Sequence, residues 1–183
     1  MADNSNNDDA PTKGADNNQR LLAAARDDNE ELLIEIFEAG DFDINCQDGL
    51  WILQARKHTP PLTTALHNAV MHGSTDVLEH ILSHDECDVD PTNRIDRATP
   101  LHLAAQIQHV DLRLHIFESL LDAGADLTIK DKNGETPLDL IPPDDTKLAA
   151  LIRKHQVQAS VQQEDVVSDE DAGPGSGSGS DED

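Results

Sequence analysis

Thr99-Pro100-Leu101-His102-Leu103-Ala104-Ala105, followed by Ala123-Gly124-Ala125-Asp126 and Asp131-Lys132-Asn133-Gly134-Glu135-Thr136-Pro137-Leu138, is the stretch that decides the fold of this 183-residue chain. Thr99 can cap the free N–H groups of a helix start, and Pro100 fits the first helical position, where its missing N–H costs nothing. Gly124 suits the left-handed turn that ends a helix. Between them the spacing predicts two short helices. Leu101, Ala104 and Ala105 give the first a narrow apolar face that a neighbouring helix can approach closely, and Ile116, Phe117, Leu120 and Leu121 give the second a bulkier one. Such a unit has apolar surface that only another unit can cover, so the pattern should recur.

It recurs on both sides. Thr64-Ala65-Leu66-His67-Asn68-Ala69-Val70 repeats the motif with the proline replaced, and Val77-Leu78-Glu79-His80-Ile81-Leu82 supplies its second helix. Upstream, Leu21-Leu22-Ala23-Ala24-Ala25 and Leu32-Leu33-Ile34-Glu35-Ile36-Phe37-Glu38-Ala39-Gly40 form a first unit without Thr-Pro or His, as suits a cap. Thr136-Pro137-Leu138-Asp139-Leu140 begins a fourth unit whose first helix is cut short by Pro142-Pro143. Asp144 or Asp145 can then cap a closing helix in which Leu148, Leu151, Ile152 and His155 follow helical spacing.

With its Thr-Pro-Leu-His signature, the chain resembles the ankyrin-repeat family. The resemblance implies an all-α solenoid of about four helix-turn-helix repeats with β-hairpin fingers and disordered acidic tails. The expected organisation is a tail over residues 1–17, an ankyrin domain over 18–156 and an acidic tail over 157–183, with repeats near 18–48, 64–93, 99–130 and 136–156. Against a family period of about 33 residues, the step from Asn18 to Thr64 is 46, from Thr64 to Thr99 is 35 and from Thr99 to Thr136 is 37. The large excess is an insertion over residues 50–63, at the first finger. The smaller one falls around residues 106–112, between the helices of the third repeat.

Charge is the second strong signal: 37 acidic against 13 basic residues give a formal −24. Residues 1–17 hold four acids and one lysine, and residues 161–183 hold eight acids and no base, which leaves −13 on the repeats themselves. Such a field repels phosphate backbones and anionic membranes and steers basic proteins inward. The absence of tyrosine and the single Trp51 leave little surface for stacking bases. The reading is therefore no nucleic acid, no membrane and a monomer in the cytosol or nucleus. No apolar run approaches the roughly 18 residues of a membrane helix, and two cysteines, Cys46 and Cys87, suit buried reduced thiols.

Nine histidines and many carboxylates invite a search for chemistry. There is no P-loop, dinucleotide fingerprint or nucleophile elbow. His67 and His102 stand at the signature position, which the resemblance makes structural. His80, His84 and Cys87 have a metal-like spacing without a second ligand pair. Paired carboxylates such as Asp27-Asp28 and Asp144-Asp145 fall where capping explains them. No catalytic residue, metal or cofactor is expected.

What remains is recognition of a protein. By resemblance the contact surface is the concave side, formed by the finger tips and the exposed face of each first helix. Carried over by position, this assigns Asp48, Asp90, Asn93, Arg94, Asp96, Asp131, Lys132 and Asn133 on fingers and Asn68, Met71, His72, Leu103 and Gln106 on first helices. Trp51 opens the apolar-then-basic run Trp51-Ile52-Leu53-Gln54-Ala55-Arg56-Lys57-His58, which either folds back over the second repeat or anchors a partner. Ser168 and Ser180, each followed by Asp-Glu-Asp, resemble sites of an acidophilic casein-type kinase, and intact-mass measurement of native protein checks their phosphate. Small acidic ankyrin proteins include escorts of a ribosomal protein and of proteasome assembly. Two readings follow: an escort that shields a basic client on an acidic concave surface, and an adaptor or inhibitor that masks a site on a regulatory protein.

Overall fold

The computed structural model describes residues 13–48 and 63–164, with side chains for 17–48 and 63–158. Among them are seven helices: α1 (Lys13–Asp27), α2 (Glu30–Ala39), α3 (Ala65–His72), α4 (Thr75–Leu82), α5 (Pro100–Ala105), α6 (Val110–Asp122) and α7 (Thr146–Glu164). Helices α1 and α2, α3 and α4, and α5 and α6 form three antiparallel pairs. The first helices stack as one row, α1 on α3 on α5, and the second helices as another, α2 on α4 on α6 on α7.

Side-chain size sets these rows. Ala24, Ala25, Ala65, Ala69, Ala104 and Ala105 are buried where first helices meet, so the backbones approach closely. Leu33, Ile36, Val77, Leu78, Ile81, Ile116, Phe117, Leu120 and Leu121 fill the wider space beside the second helices. Leu148 and Ile152 of α7 join the same continuous core. The turn inside the third repeat, between Ala105 and Val110, is longer than the Gly73-Ser74 turn of the second.

Two hydrogen-bond ladders tie neighbours together. In the first, Thr64 caps α3 through a reciprocal box with His67. The Thr64 N–H and hydroxyl both reach His67 Nδ1, at 3.4 and 2.9 Å, which leaves the proton on Nε2 to donate to Ala98 O in the next finger at 3.1 Å. Thr99 and His102 repeat this, with His102 Nε2 donating to Glu135 O at 3.1 Å. In the fourth unit Asp139 takes the histidine's place and accepts from the Thr136 N–H and hydroxyl at 2.8 and 2.7 Å. Residues 137–140 form turns there rather than a helix.

The second ladder runs through the loops that follow the second helices. Asn45 Oδ1 accepts from Asp88 N and the Asp90 carboxylate from Asp126 N, each reaching one repeat onward, while Asn18 Oδ1 of α1 accepts from Asp43 N within the first repeat. Asn45 adds a bond from Nδ2 to Glu86 O at 2.7 Å. A third kind of link crosses at the top of the first repeat. Asp28, held at φ 50, lends Oδ1 to Val77 N at the start of α4, whose own N-cap Ser74 makes no side-chain cap bond.

The fingers differ from the expected β-hairpins. Among the described residues the only ladder element is one antiparallel bridge, Gln47 with Thr64. The later fingers close by two backbone bonds each, Asn93 N to Ala98 O with Arg97 N to Asn93 O, and Asp131 N to Glu135 O with Gly134 N to Asp131 O. Side chains supply the rest: Asn93 Oδ1 accepts from Asp96 N, and Asp131 Oδ1 from Asn133 N and Glu135 N. Asn and Asp compete for backbone donors in this way, so turns replace strands.

Candidate partner-binding surface

The histidine ladder holds fingers two and three beside the first-helix row, so fingers and first helices share one side of the stack. Helices α3 and α5 contain no carboxylate. Met71 is 48 % exposed, His72 and Gln106 are exposed, and Leu103 is half-buried. On the fingers Arg94, Asp96, Lys132 and Asn133 are exposed, and Asp48 and Asp131 are half-buried. Lys132 N donates to Asp96 O at 2.7 Å, which joins the tips of fingers two and three.

Three of the residues expected to face a partner are spent inside the stack: Asn93 is 3 % exposed, its Oδ1 accepting from Asp96 N inside its own finger, and Asn68 and Asp90 join it. Asn68 is only 7 % exposed, and its side chain lies 3.2 Å from the Thr63 hydroxyl that donates to it. Asp90 is half-buried and brackets the third repeat through Asp126 N. Burial and the nearby Asp126 and Asp88 charges outweigh that hydrogen bond and raise its carboxyl above the usual range. Trp51, Ser168 and Ser180 lie outside the described residues. Ile95, which sequence reasoning passed over, is 42 % exposed between Arg94 and Asp96. Its signal was an isoleucine at a turn where the flanking residues are all polar.

Charge is shared unevenly between the two faces of the stack. Finger two (88–98) sets Asp88, Asp90 and Asp96 against Arg94 and Arg97, and finger three (126–135) sets Asp126, Asp131 and Glu135 against Lys130 and Lys132. Each is thus nearly neutral. The acid density sits on the second helices, where Glu31, Glu35, Glu38, Asp76, Glu79, Asp111, Glu118 and Asp122 are exposed. Among the described residues the second-helix face is acidic, while fingers two and three are close to neutral, because in each amphipathic second helix one side fills the core and the other meets water. Pairs cross this face between repeats, His80 with Glu30 at 2.9 Å, His115 with Glu79 at 3.7 Å and Lys147 with Asp111 at 3.5 Å.

The groups with metal-like spacing have other employment. His80 faces Glu30, and His84 packs edge-on against the stacked rings of Phe37 and Phe42. Burial, then Asp43 and Asp48, push the Cys46 thiol up to about 12. Burial and Asp88 push Cys87 up to about 11, so neither is a ready nucleophile. Among the described residues no three His, Cys, Asp or Glu side chains converge as a metal site, and no helix is long and apolar enough to cross a membrane.

Comparison with known proteins gives consistent likenesses. A family profile of ankyrin repeats in three copies matches residues 21–131. An ankyrin repeat-containing protein of Saccharomyces cerevisiae is 34 % identical over 137 residues, covering 73 % of this chain and 74 % of its own. The human ankyrin repeat and SOCS box protein 6 is 41 % identical over 75 residues, 41 % of this chain, and the match spans only 17 % of that protein. The structure of the human ASB11 ankyrin repeat domain superposes with a TM-score of 0.55 at 24 % identity, over 73 % of this chain and 52 % of that one.

Proposed function

Since the chain belongs to the ankyrin-repeat family, whose repeats mediate protein–protein interaction, we propose that it is a non-catalytic binding protein, a monomer of the cytosol or nucleus, that holds a protein partner against its fingers and first helices. The observation that carries this reading is the exposure of Met71 and Ile95 on a face whose first helices α3 and α5 carry no carboxylate, rimmed by Arg94, Asp96 and Lys132. Apolar anchors within a mixed-charge rim are the anatomy of a specific interface. They favour an adaptor or inhibitor that masks a site on a regulatory protein.

A basic client held by an escort is the second reading, and the exposed carboxylates of α2, α4 and α6 favour it. The experiment is capture of the partner on the tagged full chain from its native cell, followed by Met71→Glu with Ile95→Asp, and separately Glu35→Lys with Glu79→Lys and Glu118→Lys. Under the first reading the Met71 and Ile95 changes weaken binding by about 30-fold or more, the magnitude of a 2 kcal/mol hot spot. The complex then also persists from about 0.15 to 0.5 M salt. Release by salt and by the lysine changes alone identifies the escort, and binding untouched by either set refutes both.

A further inference from the structure

The second-helix row ends at α7, and among the described residues no repeat follows it. At each joint of that row the earlier helix supplies the acid and the later one the cation: Glu30 to His80, Glu79 to His115 and Asp111 to Lys147. On the far side of α7 the polarity reverses. Between α7 and residues 138–143 runs a groove of about 310 Å³ lined by Leu138, Ile141, Pro142, Ile152 and Arg153, and the carboxylate that also lines it, Asp145, is already held by Arg113. An adjoining open stripe carries Lys154 and Val157, the latter 59 % exposed. Residues 146–163 of α7 contain no carboxylate. Arg153 and Lys154 are exposed and have no ion-pair partner among the described residues.

We propose that this end of the row is a docking site for an acidic amphipathic helix of a partner protein, its apolar face in the groove and its carboxylates on Arg153 and Lys154. The shape follows from the row: α4, α6 and α7 each lay an apolar face against the helix before, and one more helix meets Leu138, Ile141 and Ile152 in the same way. The sign follows from the two cations left over, since the next helix has to supply the acid that α7 lacks. The net charge of −24 does not forbid this, because exposed charges more than about 8 Å apart are largely screened at physiological salt. The site goes beyond the reading above: it belongs to the last unit, whereas Met71 and Ile95 belong to the second repeat and its finger.

The test titrates the full chain into a fluorescein-labelled synthetic helix of about 15 residues, with leucines along one face and glutamates flanking them. Anisotropy reads the affinity, and backbone amide NMR spectra locate the contact. Binding weakens about tenfold with Arg153→Glu/Lys154→Glu, with Leu138→Ser/Val157→Ser, and when glutamines replace the glutamates of the probe. It is unchanged by Arg26→Glu, an exposed cation on α1, and it shifts the amides of Ile141, Ile152 and Arg153. No binding, equal binding by the Arg153 and Lys154 variant, or shifts confined to α3 and the fingers overturn the proposal. So does binding seen only once Asp169, Glu170 and Asp171 are changed to asparagine, which places the acids of this same chain in the groove. A probe-free spectrum that changes with protein concentration overturns it too, by placing a second copy there.

Discussion

Replacing Asp145 by alanine tests the joint between the third repeat and α7. Arg113 is buried in α6; its Nε and Nη2 both donate to Asp145 Oδ2, at 2.9 and 2.5 Å, and its Nη1 donates to Ile107 O. Asp145 Oδ1 also caps α7 by accepting from Leu148 N at 3.1 Å. The substitution removes a cap, at about 1 kcal/mol, and strands a guanidinium only 7 % exposed, at about 3–5 kcal/mol. Both losses come from one carboxylate and do not simply add, so about 3–5 kcal/mol is expected in all. With a urea slope of about 2 kcal/mol per molar, the midpoint falls by about 1.5–2.5 M. Repeat arrays can lose end units first, so amide exchange in α7 should quicken before that in α3.

The double change Arg113→Met with Asp145→Asn keeps a capping side chain and leaves no buried charge, and should cost less than Asp145→Ala alone. Burial by itself would raise the Asp145 carboxyl, but bonds from Leu148 N and Arg113, with the Arg113 charge, hold it below the usual range. A depressed folded value means its contribution is complete above an unfolded pKa of about 3.9 and is lost as pH falls through the folded one. The alanine variant and the parent should therefore converge in acid. A loss under about 1 kcal/mol at neutral pH, or a double variant as unstable as the sum of its parts, refutes the reasoning.

Burial lowers the His67 pKa against the opposing bond to Ala98 and the Asp88 charge. Its stabilisation is complete above about pH 6.5 and declines as pH falls from there, so His67→Gln should flatten the drop in urea midpoint between about pH 7.5 and 5.5; equal slopes would disprove this. Gly73→Ala meets both a φ of +73 and Leu112 Cδ2 at 2.9 Å, whereas Gly40→Ala meets only a φ of +68 with nothing within 4 Å. Calorimetry should show about 1 kcal/mol for Gly40→Ala and more for Gly73→Ala. Cys46 and Cys87, with thiols near 12 and 11, should resist a thiol reagent at neutral pH and react fully in denaturant. Rapid labelling of the folded chain would refute this expectation.

The helix pairs were legible because their signals are local. Thr64 and Thr99 cap within three residues, Pro100 sits at a helix start, and Gly124 follows α6 at φ 95, all without reference to distant chain. Bonds that leap a whole repeat were not legible, since nothing near Asn45 or Asp28 announces Asp88 or Val77 as a partner. Arg113 was hidden for the same reason: on an amphipathic helix it reads as a solvated position until Asp145 is placed against it. The surface was legible by position for Met71, His72 and Gln106. It was not legible for Asn68, which the Thr63 hydroxyl draws inward, nor for the sidedness of the charge. Counting carboxylates gives a total, and only the packing of α2, α4 and α6 assigns them to one face.

That sidedness makes the molecule an electrical rocker. Of the faces of the stack, the backs of α2, α4 and α6 are the one drawn toward a cationic bead or a lysine-rich assembly, which turns fingers two and three away from it. Orientation on such a support would then come free of any engineered handle, and a captured partner would sit on the side away from the matrix.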